Sequence, residues 1–305
     1  MGARSSQSRG PGLNKSDGHL LEYFRQAFGA GGGGTNASVL SGLTATGGVI
    51  SDYTDGSDVY RAHIFTSTGT FEVTEPGTFG DTVEYLVIGG GGGGGCGDPV
   101  SDVGGGGGGA GGLRTNLSGH PLNGGTYSIP GTFPAPYTVT IGAGGAGRVL
   151  HADLQGGDGT NSEFYLAPDS YPGANFIRGA GGGGGGSRSA DVPEVQGGRN
   201  GLAGGGSGGG SWVPGATPQE GTVGSSDPNH PETAGYPGGG GTPSTPTEAM
   251  GGGGGAGGAG SAGDSGSNGG IGGLGIRVAI GGPSSDPSPI GGSGPGSGDP
   301  ITTIF

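Results

Sequence analysis

Catalysis and metal binding need clustered reactive side chains, and in this chain those residues are few and widely spaced. The five histidines are His19, His63, His120, His151 and His230, and they include no His-x-His or His-Glu-x-x-His pair. The one cysteine, Cys96, excludes a multi-thiolate zinc site and an intrachain disulfide. Ser207 lies between glycines, without the strand and helix that make a nucleophile elbow. Asp98 and Asp102 are near enough in sequence for acid–base work, but Gly97 and Pro99 make a solvated turn the simpler reading. Many Gly-x-Gly-x-x-Gly strings occur. None continues into Gly-Lys-Ser or Gly-Lys-Thr, and the only lysine is Lys15, so no phosphate loop is assigned. Gly156-Gly157-Asp158-Gly159 matches a calcium-binding repeat once, and the repeat is not sustained. The chain is read as a non-enzyme with no catalytic residue, metal ligand or cofactor.

What remains is backbone. Glycine supplies 90 of the 305 residues, chiefly in runs at 89–95, 104–112, 179–186, 197–210, 238–241 and 251–263, with a diluted run to 275. Ordering one residue costs about 1–2 kcal/mol, more for glycine, while a net hydrogen bond returns about 1. A lone run therefore stays unordered. Runs laid side by side escape this limit. Polyglycine takes an extended left-handed helix of three residues per turn whose N–H and C=O groups point outward. Without Cβ atoms such rods approach closely enough to bond laterally, with Cα–H···O contacts added.

The rods need clamps, and the flanking segments are suited to that. Strand composition marks 59–65, 69–73, 82–88, 137–141, 163–166 and 275–280, expected to form a small antiparallel sandwich. Three polar segments between runs, 96–103, 187–196 and 242–250, read as far tips where the chain reverses. The longer segment 211–237 belongs at the other end or across the surface. Ahead of these lies a Ser- and Arg-rich arm, 1–17. A short helix follows, capped by Ser16 or Asp17, ended by Gly29, with Leu20, Leu21, Phe24 and Phe28 on one face as an anchor. The expected fold is mainly β, a small antiparallel β domain supporting a polyglycine II helix bundle, with a short N-terminal helix. The divisions are 1–35 (arm and helix), 36–280 (glycine-rich domain) and 281–305 (tail).

Charge narrows the partners. A net charge of −13 with scattered arginines argues against nucleic acid, whose affinity rests on phosphate neutralisation. The first 25 residues are the exception, holding Arg4, Arg9, Lys15 and Arg25. No apolar stretch approaches the 18 residues of a membrane span, and no apolar leader follows Met1, which points to folding in a reducing cytoplasm.

Five strings occur in order: 63–73 (HIFTSTGTFEV) with 83–88 (VEYLVI) leading into glycine, 104–114 (GGGGGGAGGLR), 137–147 (YTVTIGAGGAG), 156–164 (GGDGTNSEF) and 272–280 (GGLGIRVAI). Together they resemble the glycine-rich domain of tail-fibre and adhesin-like virion proteins of tailed bacteriophages, including marine and cyanobacterial ones. The resemblance implies a rod at 104–112, a strand into a turn at 137–147, and a turn into a strand at 156–164. It also implies a virion protein present in multiple copies, docked on other virion proteins through its N-terminal region, with loops that meet a host surface glycan or protein. The loop residues able to make such contacts are Asp98, Pro99, Asp102, Arg188, Asp191, Glu194, Thr245 and Glu248, with Trp212 and Tyr236 as stacking candidates. Two other readings stand beside it. One is a purely architectural connector or decoration subunit. The other, ranked last, is an ice-binding protein, whose regular tripeptide period the irregular loops interrupt.

Overall fold

The segments richest in Val, Thr, Tyr and Phe form strands, and the described glycine runs between them form neither strand nor helix. A computed structural model describes residues 41–55, 58–78, 80–97, 104–118, 120, 123–129, 131–148, 155–169, 171, 175–187, 208–209, 236–241, 249–264, 268–276, 278, 280 and 289–290. The described strands are β1 (Thr44–Thr46), β2 (Val49–Asp55), β3 (Asp58–Ile64), β4 (Gly69–Glu75), β5 (Thr82–Val83), β6 (Leu86–Ile88) and β7 (Leu113–Thr115), then β8 (Tyr127–Ser128), β9 (Ala135–Thr140), β10 (Ser162–Leu166), β11 (Ile177–Gly179), β12 (Gly275–Ile276) and β13 (Pro289–Ile290). No helix occurs among the described residues. The expected helix with Leu20, Leu21, Phe24 and Phe28 lies outside them.

The chain divides into two units. The first takes Met1–Leu43 and Gly77–Gly80. Within it the Thr78 N–H donates to the Ser41 carbonyl (2.9 Å) and the Ser41 N–H to the Thr78 hydroxyl (2.8 Å). The second unit carries all the described strands. Its main sheet is antiparallel in the order β1-β4-β9-β10-β11, and the pairs β2-β3, β5-β8, β6-β7 and β12-β13 form two-stranded sheets.

Alternation on β4 and β9 builds the core. Val73, Ala135, Tyr137 and Val139 are buried, and register sets Phe71 opposite Tyr137 and Val139 opposite Phe164. Phe164 thus becomes the diagonal neighbour of Tyr137, and their rings stack with centroids 4.9 Å apart. Tyr127, from β8, packs edge-on to Tyr137 and Tyr85, so one aromatic cluster ties the main sheet to the β5-β8 pair.

Burial also sets how this core responds to alkali. It pushes the Tyr137 hydroxyl up to about 12, and the Tyr127 hydroxyl is raised for the same reason. A tyrosine in the unfolded chain titrates near 10. The folded state therefore holds both protons more tightly, and this contribution is intact below pH 10 and lost as pH rises towards 12. Alkaline titration followed by near-UV circular dichroism should show cooperative loss of structure in that window. The transition should move to higher pH in Tyr137→Phe.

The β2-β3 hairpin leaves the main sheet. Tyr53 and Tyr60 stack across it at 5.2 Å, and the Tyr53 hydroxyl donates to the Ile280 carbonyl. Arg61 grips the Asp52 carboxylate with both Nε and Nη2, which holds that carboxyl below its ordinary range. Both side chains are exposed, so this ion pair contributes little to stability.

Candidate functional site

The glycine runs hydrogen-bond to one another with a period of three. From run 89–97, the N–H groups of Gly89, Gly92 and Gly95 donate to the carbonyls of Gly112, Gly109 and Gly106, while Gly90 and Gly93 donate to Thr160 and Gly157. Its carbonyls at Gly90 and Gly93 accept from Gly182 and Gly185, and those at Gly91 and Gly94 accept from Gly145 and Arg148. Successive residues therefore address different neighbours. The two strings expected to hold turns, at 142–147 and 156–161, are instead extended members of this lattice, bonded to each other and to run 89–97.

Packing between the runs is as close as backbone allows. A Cβ added at Gly92, Gly185 or Gly208 would fall on the carbonyl oxygen of Gly183, Gly106 or Gly184, respectively. The hydrogen now in each place points at that oxygen, a Cα–H···O contact. Alanine enters where there is room: Ala143 and Ala146 lie on an exposed edge run.

Side chains complete the lattice where a carbonyl does not reach. Run 179–187 is almost wholly buried, and its Gly181 and Gly184 N–H groups donate to Asn161 Oδ1 (3.1 Å) and Asp158 Oδ1 (2.9 Å). These acceptors are three residues apart, in phase with the backbone. Asp158→Ala is expected to leave the Gly184 N–H without this acceptor and to cost about 1–3 kcal/mol in denaturant unfolding. Asp158→Asn should restore most of that loss.

Direction organises the bundle. Strands β6, β9 and β11 feed runs 89–97, 142–148 and 179–187, and runs 104–112 and 156–161 lead out into β7 and β10. Register keeps those junctions at one end, as Gly89 meets Gly112 and Gly112 meets Ala180. At the opposite end Gly95 meets Gly106, Gly106 meets Gly186, Gly186 meets Gly209, and Gly107 meets Gly251. Met250 meets Gly270 there, and Gly263 meets Gly240. The described residues flanking 98–103, 149–154, 188–207, 242–248 and 265–267 consequently all lie at the end away from the strands. Cys96, Ser187, Ala249 and Met250 are buried at that end. Arg148 Nε donates to the Gln155 carbonyl across the base of 149–154, and Asn268 Nδ2 donates to Asp264 across 265–267.

Of the residues expected to touch a partner, Asp98, Pro99, Asp102, Arg188, Asp191, Glu194, Thr245, Glu248 and Trp212 lie outside the described residues. Tyr236 is described. It is 38% exposed and opens run 236–241 at the strand-bearing end, its carbonyl against Gly254. The buried plugs Cys96, Ala249 and Met250 were not anticipated as such. Their signal was position, as the non-glycine residues at the ends of glycine runs.

The fold and the lattice define a mainly β protein with antiparallel sheets and bonded glycine runs. A glycine-rich domain family model matches residues 66–300, and the chain belongs to that family. No curated protein and no solved structure matches it.

Proposed function

We propose that this protein is a display element: a β base, a polyglycine II bundle as spacer, and loops held at the far end to bind a surface. The observation that carries this reading is that the described flanks of 98–103, 149–154, 242–248 and 265–267, with Ser187 ahead of 188–196, lie at the end away from the strands, whereas Tyr236 opens its run at the strand-bearing end. The three-residue bonding period, with neighbours in several directions, supports the polyglycine II reading. At about 3.1 Å per residue, a run such as 89–95 extends roughly 20 Å. A scaffold without side chains holds its loops rigidly while remaining indifferent to their sequence.

The setting that fits best is the virion of a tailed phage, as a tail-fibre or adhesin component attached through its N-terminal region and present in several copies. Host-surface glycan or protein is the ligand class for the loops. Added free, the protein should block adsorption of the phage that carries it. Replacing 98–103, 188–196 and 242–248 with Gly-Ser segments of equal length should abolish the block and leave thermal unfolding unchanged. Undiminished block by the loop-replaced protein, or no block by the wild type, would refute the display reading.

An architectural virion subunit is the second reading, and one feature favours it. The β2-β3 hairpin exposes Val49, Ile50, Val59 and Ile64, Val59 at 76%, which suits a surface covered by a neighbour.

A further inference from the structure

Among the described residues, run 249–255 has five neighbours. Gly251 and Gly254 carbonyls accept from Gly107 and Ala110, the Gly252 carbonyl from Gly239, and those of Met250 and Gly253 from Gly270 and Gly273. The N–H groups of Gly252 and Gly255 donate to Ser261 and Gly258, and a Cβ at Gly209 would strike the Gly251 carbonyl. These neighbours also touch each other in turn around the run: 104–112 with 208–209, that with 236–241, then 257–264, then 268–274. Among the described residues the ring is open only between 268–274 and 104–112. A groove of about 530 Å³ lies there, with run 249–255 as its floor and the two flanking runs as walls.

Equal rods close-pack six around one, so the groove is one rod position left open. The polar groups repeat this count. Carbonyls 251, 252 and 253 point to three runs a third of a turn apart, and the Gly252 N–H points between two of these directions. The same phase directs the Gly253 N–H into the groove, together with the carbonyls of Gly105 and Gly108 from one wall and Gly270 and Gly273 from the other. None of these five groups has a backbone partner among the described residues, and Gly253 is buried. Such groups gain from a partner that brings its own donors and acceptors at three-residue spacing.

We infer that this groove receives one extended glycine-rich strand of a partner polypeptide as the sixth neighbour. Elsewhere between the described runs a Cβ would fall on a neighbouring carbonyl oxygen, as at Gly92 and Gly185, and a sixth run packed as closely needs glycine for the same reason. A second copy of this chain is a poor occupant. Its edge runs present Ala143, Ala146, Ile271 and Leu274 on exposed faces, and a net charge of −13 opposes close self-association. The inference rests on the bonds between runs and is independent of the display reading.

Gly272 and Gly269 line the groove and tolerate a Cβ, whose nearest contacts would be the Gly253 carbonyl oxygen at 4.0 Å and the Met250 carbonyl oxygen at 3.8 Å. Gly272→Leu and Gly269→Val should therefore fill the groove while the lattice persists. The probe is a fluorescein-labelled heptaglycine peptide with serine flanks, titrated with the full chain and followed by anisotropy. Saturable binding is expected, weakened by about tenfold or more in either variant and absent for the heptaalanine analogue. Thermal unfolding should match the wild type in at least one variant. No saturable binding to the wild type, or equal binding by a correctly folded variant, would overturn the proposal. So would a wild-type dimer in sedimentation that is lost in Gly272→Leu, which would assign the groove to a second copy.

Discussion

Gly185→Ala is expected to abolish the folded lattice, or to lower its stability by more than about 3 kcal/mol, against a total of about 5–15 for a typical domain. Gly185 lies in the buried run 179–187, and the new methyl would fall on the Gly106 carbonyl oxygen with the Gly95 nitrogen 2.7 Å away. All three runs are backbone at that level, so no flexible side chain can move aside. Separating the runs would break the bonds between Gly185 and Gly93 and between Gly106 and Gly186. Gly144→Ala is the matched control, because its Cβ would meet only the Gly91 carbonyl, at 3.7 Å. Urea unfolding of both variants decides the matter. Equal midpoints for Gly185→Ala and wild type would mean that the runs are not packed as described.

Tyr137→Ala is expected to cost about 3–5 kcal/mol, the usual range for removing a buried aromatic ring. Tyr137 is fully buried on β9, and its ring touches Phe164, Phe71 and Tyr127. The loss should spread beyond the main sheet, because Tyr127 belongs to the β5-β8 pair and stacks only through this cluster and Tyr85. Tyr137→Phe keeps the ring and should cost no more than about 1 kcal/mol. Differential scanning calorimetry of the pair separates ring packing from the hydroxyl.

The strands that announce themselves by β-branched and aromatic residues were legible: 59–65, 69–73, 137–141 and 163–166 correspond closely to β3, β4, β9 and β10. The segment 82–88 was read as one strand and is two, β5 and β6. Between them the Tyr85 N–H bonds to the Asn116 side chain, which breaks the ladder. Strands of two or three residues, such as β1, β7 and β8, carry too little pattern to be seen. They exist because a neighbour holds them, as β6 holds β7. Strand β12 stops at Ile276, and its partner β13 falls in the segment read as a tail. Which runs bond to which was not legible at all. A glycine run carries no side-chain label, so its neighbours follow only from loop lengths and from the phase of its bonds.

The same phase limits how the chain can change length. Adding three residues to a run returns every N–H and C=O to its original direction, so mutually bonded runs that each gain a triplet together extend the bundle by one layer. Adding one or two turns the remainder of the run by a third or two thirds of a revolution and aims its groups at the wrong neighbours. Loop segments carry no such rule. Heritable insertions and deletions should therefore be unrestricted in size at 98–103, 188–196 and 242–248, and quantised in threes within the buried runs.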